Sequence, residues 1–151
     1  MPMPWTYRHA SREWQGFLAD AREEMGLISD NMAYTAVEGV LRAFRARLTV
    51  QQALDFAQIL PSVLRAIFVA QWHIAPPLPP GSRADWTAQA KTLRPHHNLT
   101  PENCVAATAI ALRKCVPRAD LDRVLATLPA FAAEFWSPPG IDPATLGPRI
   151  L

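Results

Sequence analysis

The sequence predicts an all-α fold, a helical bundle built from two halves related by a pseudo-twofold axis. Three observations carry that prediction. First, sliding residues 36–68 along by 68 positions onto 104–136 places apolar residues on apolar residues. Val37 meets Val105, Phe44 meets Leu112, Leu48 meets Val116 and Ala53 meets Leu121. Phe56 meets Val124, Ala57 meets Leu125, Leu60-Pro61 meets Leu128-Pro129 and Phe68 meets Trp136, while Arg45 falls on Arg113. Second, apolar residues recur at spacings of three and four, the period of one helical face. Third, the chain has neither sustained two-residue alternation nor an Asn-Gly or Asp-Gly hairpin turn.

The elements follow in order. Trp14, Phe17, Leu18, Ala21 and Met25 share one face, and Gly26 suits a C-terminal cap. Asp30 is placed to cap a second helix whose buried stripe is Val37, Val40, Leu41, Phe44 and Leu48. Thr49 with Gln52 has the capping-box spacing and starts a third helix carrying Ala53, Phe56, Ala57 and Leu60. Pro61 fits the first turn of a fourth, predicted to run to about Trp72. In the second half Trp86 opens a brief helix. Thr100-Pro101-Glu102 supplies an N-cap, an N1 proline and an early acid for a helix to about Cys115. Helices over 118–128 and 129–136 complete the set. From Trp14 to Trp86 the offset is four residues longer than elsewhere, about one helical turn, which keeps the same face buried.

Fifteen prolines punctuate the chain, many of them at the N-terminal tip, in 75–81 and in the tail. Such segments read as semi-rigid and extended. The predicted organisation is one domain over 1–151: a first half at 11–73, a Pro-rich linker at 74–82, a second half at 83–136 and a Pro-rich tail at 137–151.

A length of 151 residues is enough to bury a real core, and 50% hydrophobic residues exclude a disordered chain. The net charge of +2, from 15 basic and 13 acidic residues, argues against nucleic-acid binding. The apolar runs are broken by Pro61 and Arg65 or end at Arg113, short of the roughly 18 residues of a membrane span. Met-Pro-Met-Pro-Trp has no basic region followed by an apolar stretch, so no signal peptide is expected and the predicted location is cytoplasmic. Cys104 and Cys115 would lie on one helix about 16 Å apart, too far for a disulfide.

At Gly26-Leu27, Asp30, Ala33, Val40-Leu41, Arg47-Leu48-Thr49, Ala53 and Leu60-Pro61 the chain resembles the bacterial DUF2267 family. The resemblance covers roughly 11–136 and implies two helical halves, each ending in Leu-Pro and a short apolar helix. In the second half it departs from the pattern. The opening helix has shrunk to the stretch around Trp86, and Arg94-Pro95-His96-His97-Asn98-Leu99 replaces the Gly-Leu turn. The resemblance brings no catalytic residues.

The motifs of common chemistry are missing: no Gly-rich phosphate loop, no GxSxG, no Glu-x-x-His, no HExxH and no paired CxxC. Imidazole and thiolate suit zinc or copper, which makes His73, His96, His97 and Cys104 the metal candidates. The weight of the reading is that His96-His97 is an exposed polar turn and that the chain has no cofactor. Cys104 and Cys115 read as small core residues. Arg42, Arg45, Arg47, Arg113, Lys114 and Arg118 read as a solvated basic face, with Arg42, Arg45 and Arg113 as candidates for contact with a partner. The tryptophans read as core anchors or helix-end plugs.

The expected function is therefore a non-enzymatic protein-interaction or scaffold module, with a protein partner and with a homo-oligomer left open. Ile141, Leu146, Ile150 and Leu151 of the tail are the remaining partner-binding candidates. The alternative is an enzyme or small-ligand or metal-binding protein with a site between the halves. A packed core between them with apolar exposure near the tails favours the module; His73, His96, His97 and Cys104 around one cavity favour the alternative.

Overall fold

The structure is a computed structural model that describes residues 3–94 and 99–148. The all-α expectation holds, and among the described residues there is no strand. The helices are α1 (Trp5–Arg8), α2 (Ala10–Met25), α3 (Asp30–Arg45), α4 (Val50–Ala57) and α5 (Ser62–Val69), then α6 (Arg83–Ala90), α7 (Cys104–Arg113), α8 (Arg118–Leu125) and α9 (Phe131–Phe135).

Local chemistry explains most boundaries. Gly26 adopts φ 69°, and the amides of Gly26 and Leu27 reach back to Glu23 O and Arg22 O, a Schellman closure of α2. Thr49 and Gln52 form the expected reciprocal capping box. Several ends differ from the sequence reading. Trp5–Arg8 is a helical turn, not extended, because Pro4 presets φ and its carbonyl accepts from Tyr7 and Arg8 N–H. The cap of α3 is Ser29, whose Oγ accepts from Met32 N–H; Asp30 sits one residue inside, paired with Arg22 at 3.0 Å. Pro61 occupies the cap position of α5 rather than its first turn, and α5 stops at Val69, three residues before Trp72. The reason is the Arg45 guanidinium, which takes up the carbonyls of Phe68 and Ala70. Helix α6 begins before Trp86, at Arg83, under a Ser82–Asp85 capping box. Thr100 does not cap α7; the chain makes a turn at Pro101, closed by Cys104 N–H, and Asn103 stands at the cap position. Helix α7 ends at Arg113, so Cys115 lies just beyond it, and both cysteines are free. Helices α8 and α9 are shorter than predicted, ending at Leu125 and Phe135.

Both members of each apolar pair matched across the repeat are buried, apart from Pro61 and Pro129, which are both partly buried. The polar pair behaves alike too. Arg45 donates to Phe68 O at 2.9 Å, and Arg113 donates to Trp136 O at 2.6 Å, the equivalent carbonyl. At the two Leu-Pro junctions, Leu60 N–H bonds Ala57 O and Leu128 N–H bonds Leu125 O, again an equivalent pair.

The opening helices pack across the halves. Helix α2 lies on α7 as well as on α3, and α6 lies chiefly on α3. The α3–α6 crossing is close: a Cβ at Gly39 would overlap the Ala90 carbonyl oxygen, so only glycine fits. Aromatic rings fill the space between the halves. Phe44 meets Phe135 at 4.9 Å and Trp136 at 5.3 Å, and Phe56 stacks on Trp136 at 5.4 Å. Two tryptophans fit the core-anchor reading fully, Trp86 and Trp136; Trp14 and Trp72 are half-buried, and Trp5 is exposed. The linker is extended but tied down, through Leu78 N–H to Ala46 O and through Arg47 and Trp86 Nε1 to Pro80 O.

Candidate functional site

An apolar groove of ≈ 390 Å³ lies where three elements meet. Helix α2 supplies the floor through Glu13, Gly16, Phe17 and Asp20. The α4–α5 junction supplies one wall, Ile59, Leu60 and Pro61, and the α7–α8 junction the other, Lys114, Cys115 and Pro117. Trp5, Thr6 and, from the tail, Pro148 form the rim. Helix α1 is held there by the Thr6 and Ser62 hydroxyls, 3.1 Å apart, and by Ser62 Oγ donating to Thr6 O.

Gly16 makes the opening. It stands inside a sixteen-residue helix, where glycine costs about 0.5–1 kcal/mol relative to alanine. Unlike at Gly39, a Cβ here would meet nothing within 4 Å. Packing therefore does not demand the glycine, and the missing side chain leaves space.

Burial shifts two of the groove's polar groups, Glu13 and Cys115. Burial raises Glu13 above the usual carboxylate range, with His9 opposing, and its Oε1 is buried without a hydrogen-bond partner. Asp20 is buried as well. The Cys115 thiol donates to Leu112 O at 3.3 Å; burial, then Glu13 and Asp20, push it up to about 12. Lys114 pairs with Glu24 at 3.8 Å.

The candidates named from sequence lie mostly elsewhere. His73 is exposed and lines a separate ≈ 300 Å³ hollow with Arg42, Arg45 and Trp72. Cys104 is in the core, its thiol pushed up to about 11 mainly by burial. His96 and His97 lie outside the described residues. Among the described residues no group of three or more His, Cys, Asp or Glu could hold a metal ion, and no helix is long and apolar enough to cross a membrane.

The solvated basic face needs correction. Arg45, Arg47 and Arg113 are buried, and burial lowers the pKa of each. Arg45 and Arg113 spend their guanidinium donors on main-chain carbonyls, as Arg47 does on Ala43 O and Pro80 O. They are internal ties between elements, which withdraws Arg45 and Arg113 as surface contacts. Arg42 is partly buried, bonded to Glu38 and Gln71. In the tail Pro138 is buried, Leu146 is half-buried and Ile141 is exposed; Ile150 and Leu151 lie outside the described residues.

The groove residues Glu13, Gly16, Ile59 and Cys115 were not candidates from sequence. One signal was available, a glycine in mid-helix with no cap to form.

Sequence comparison fits this architecture of repeated Leu-Pro junctions. The model of a family described as an uncharacterized conserved protein, DUF2267, matches residues 14–135. The chain belongs to the DUF2267 family. No curated protein matches it. The DUF2267 match takes in both walls of the groove and the floor residues Gly16, Phe17 and Asp20, while Glu13 of the floor and Trp5, Thr6 and Pro148 of the rim fall outside it.

Proposed function

We propose that this DUF2267 chain is a non-enzymatic helical interaction module whose protein partner docks on the groove between α2, the α4–α5 junction and the α7–α8 junction. The observation that carries the reading is the pairing of a filled interior with an open apolar edge. Phe44, Phe56, Phe131, Phe135 and Trp136 occupy the space between the halves. Beside the groove, Met3, Trp5 and Tyr7 stand about half or more exposed. Exposed aromatics next to an apolar hollow are the composition of protein-binding surfaces.

The chemistry of the groove supports binding over catalysis. A thiolate, not a thiol, is the nucleophile. With Cys115 pushed up to about 12, that form is absent at neutral pH. Two free thiols fit a reducing, cytoplasmic setting in a bacterium.

The test is affinity capture from the native host, followed by reconstitution with the purified captured protein. Gly16→Leu, which fills the groove, should weaken binding at least about tenfold. Ile28→Ala, at a site 93% exposed, should leave it unchanged. Equal affinity of Gly16→Leu and the parent chain removes the groove as the docking surface.

A further inference from the structure

We infer that the groove selects a partner segment carrying a lysine or arginine side chain beside an apolar residue, a reading that rests on the groove being the docking surface. The argument is charge and shape together. The lining is largely apolar, with Phe17 in the floor and Ile59, Leu60, Pro61 and Pro117 in the walls. Against this surface the alkyl stem of a long basic side chain packs well while its charged end reaches a polar group.

The polar end of the groove is acidic. Glu13 and Asp20 both line it, against one cation, Lys114. Lys114 is turned to Glu24 on the outer side of α2, at 3.8 Å. His9, one turn before Glu13, packs at a tilt against the Trp5 ring with centroids 4.7 Å apart. One carboxylate oxygen of Glu13 is buried with no donor upon it. A buried acceptor left unpaired is unfavourable, and rotation of the Glu13 side chain into the groove would bring this oxygen to an incoming ammonium or guanidinium, which would supply the missing charge-assisted hydrogen bond. The neighbouring Cys115 thiol cannot, because it donates to Leu112 O. An acidic side chain entering the same space would meet Glu13 and Asp20 as like charges. The groove therefore discriminates by repulsion as well as attraction.

Gly16 gives the basic side chain its room, since the space over its Cα is empty to 4 Å. The groove is also within the size range of pockets that enclose a ligand group, roughly 300–1,000 Å³.

The test titrates the ¹⁵N-labelled full chain with four blocked tripeptides, acetyl-Leu-X-Leu-amide, where X is lysine, arginine, norleucine or glutamate. The lysine and arginine peptides should shift the amides of Gly16, Ile59 and Cys115 and bind at least about tenfold more tightly than the glutamate peptide. Glu13→Gln, nearly isosteric, should reduce that preference to within about twofold while the melting temperature stays close to the parent's. Norleucine or glutamate peptides that bind the groove as tightly as lysine overturn the basic-side-chain inference and leave the docking surface standing. Binding unaffected by Gly16→Leu, or no shift at the groove with any peptide, overturns both.

Discussion

The two opening helices, α2 and α6, solve the same packing problem in opposite ways. Helix α6 has eight residues and sinks its tryptophan completely: Trp86 is 0% exposed, lies 4.8 Å from Phe135 and donates Nε1–H to Pro80 O. Its crossing with α3 is so tight that Gly39 can carry no side chain. Helix α2 has sixteen residues and keeps one side open: Trp14 is half-buried between Phe17 and Tyr34, and Gly16 faces empty space. Gly16 lies within α2 and Gly39 faces α6, and of these two only Gly39 has a packing reason. The closed crossing holds the halves together, whereas the open one is where a partner can enter. A glycine that packing does not require is the better guide to function.

The largest test of this comparison removes the crossings altogether. Because α2 lies on α7 and α6 lies on α3, neither half can cover its own apolar surface. Fragments 1–73 and 83–151, expressed separately, should show no cooperative unfolding, and mixing them should restore helical circular dichroism. Two independently folded fragments would mean that the cross-packing contributes little.

The helical plan was legible in the sequence because it is periodic. Phe44, Leu48, Phe56 and Leu60, with Leu112, Val116, Val124 and Leu128, are all buried as their spacing requires. Caps at Gly26 and Thr49 were legible because they depend on residues within one turn. The buried guanidiniums were not. Arg45 and Arg113 look like surface residues until the carbonyls they bind, 23 residues downstream, are known. The groove was hidden for the same reason: Gly16, Ile59 and Cys115 come from three distant segments, and no periodicity joins them.

At the level of single side chains, Trp86→Ala should cost about 3–5 kcal/mol, because it empties a closed crossing. Trp14→Ala should cost less than half of that, because its ring is already partly in water. Urea denaturation compares the two; equal losses would erase the distinction between closed and open helices. Gly39→Ala comes next, at about 1–3 kcal/mol, since its methyl group would press on main chain that cannot swing aside. A neutral result there would show that α3 and α6 can separate at no cost.

Cys104 sharpens the closed side through pH. Its thiol sits at about 11 in the folded chain against an ordinary value of 9.0. A raised folded-state value means that the unfolded chain loses its proton first, so stability is intact below pH 9 and falls as pH rises toward 11. At pH 10 the loss should be on the order of 1 kcal/mol for this group. Cys104→Ala should flatten the alkaline limb of a denaturation-midpoint profile between pH 8 and about 10.5. An unchanged limb would mean that the thiol ionises as easily folded as unfolded.

The smallest effect tests the open side most directly. Gly16→Ala adds a methyl group where nothing lies within 4 Å, so no strain opposes it. Alanine also restricts the unfolded chain and favours helix, and the variant should gain about 0.5–1 kcal/mol in urea denaturation. If the groove is a docking surface, the same methyl group narrows its floor. Affinity for the lysine peptide should then fall by about two- to threefold, well short of the loss in Gly16→Leu. A gain in stability with a loss in binding would mean that the chain keeps a destabilising residue for the space it leaves. A gain in stability with unchanged binding would mean that the partner does not reach the floor beneath Gly16, and the contact would move outward to the Trp5 rim.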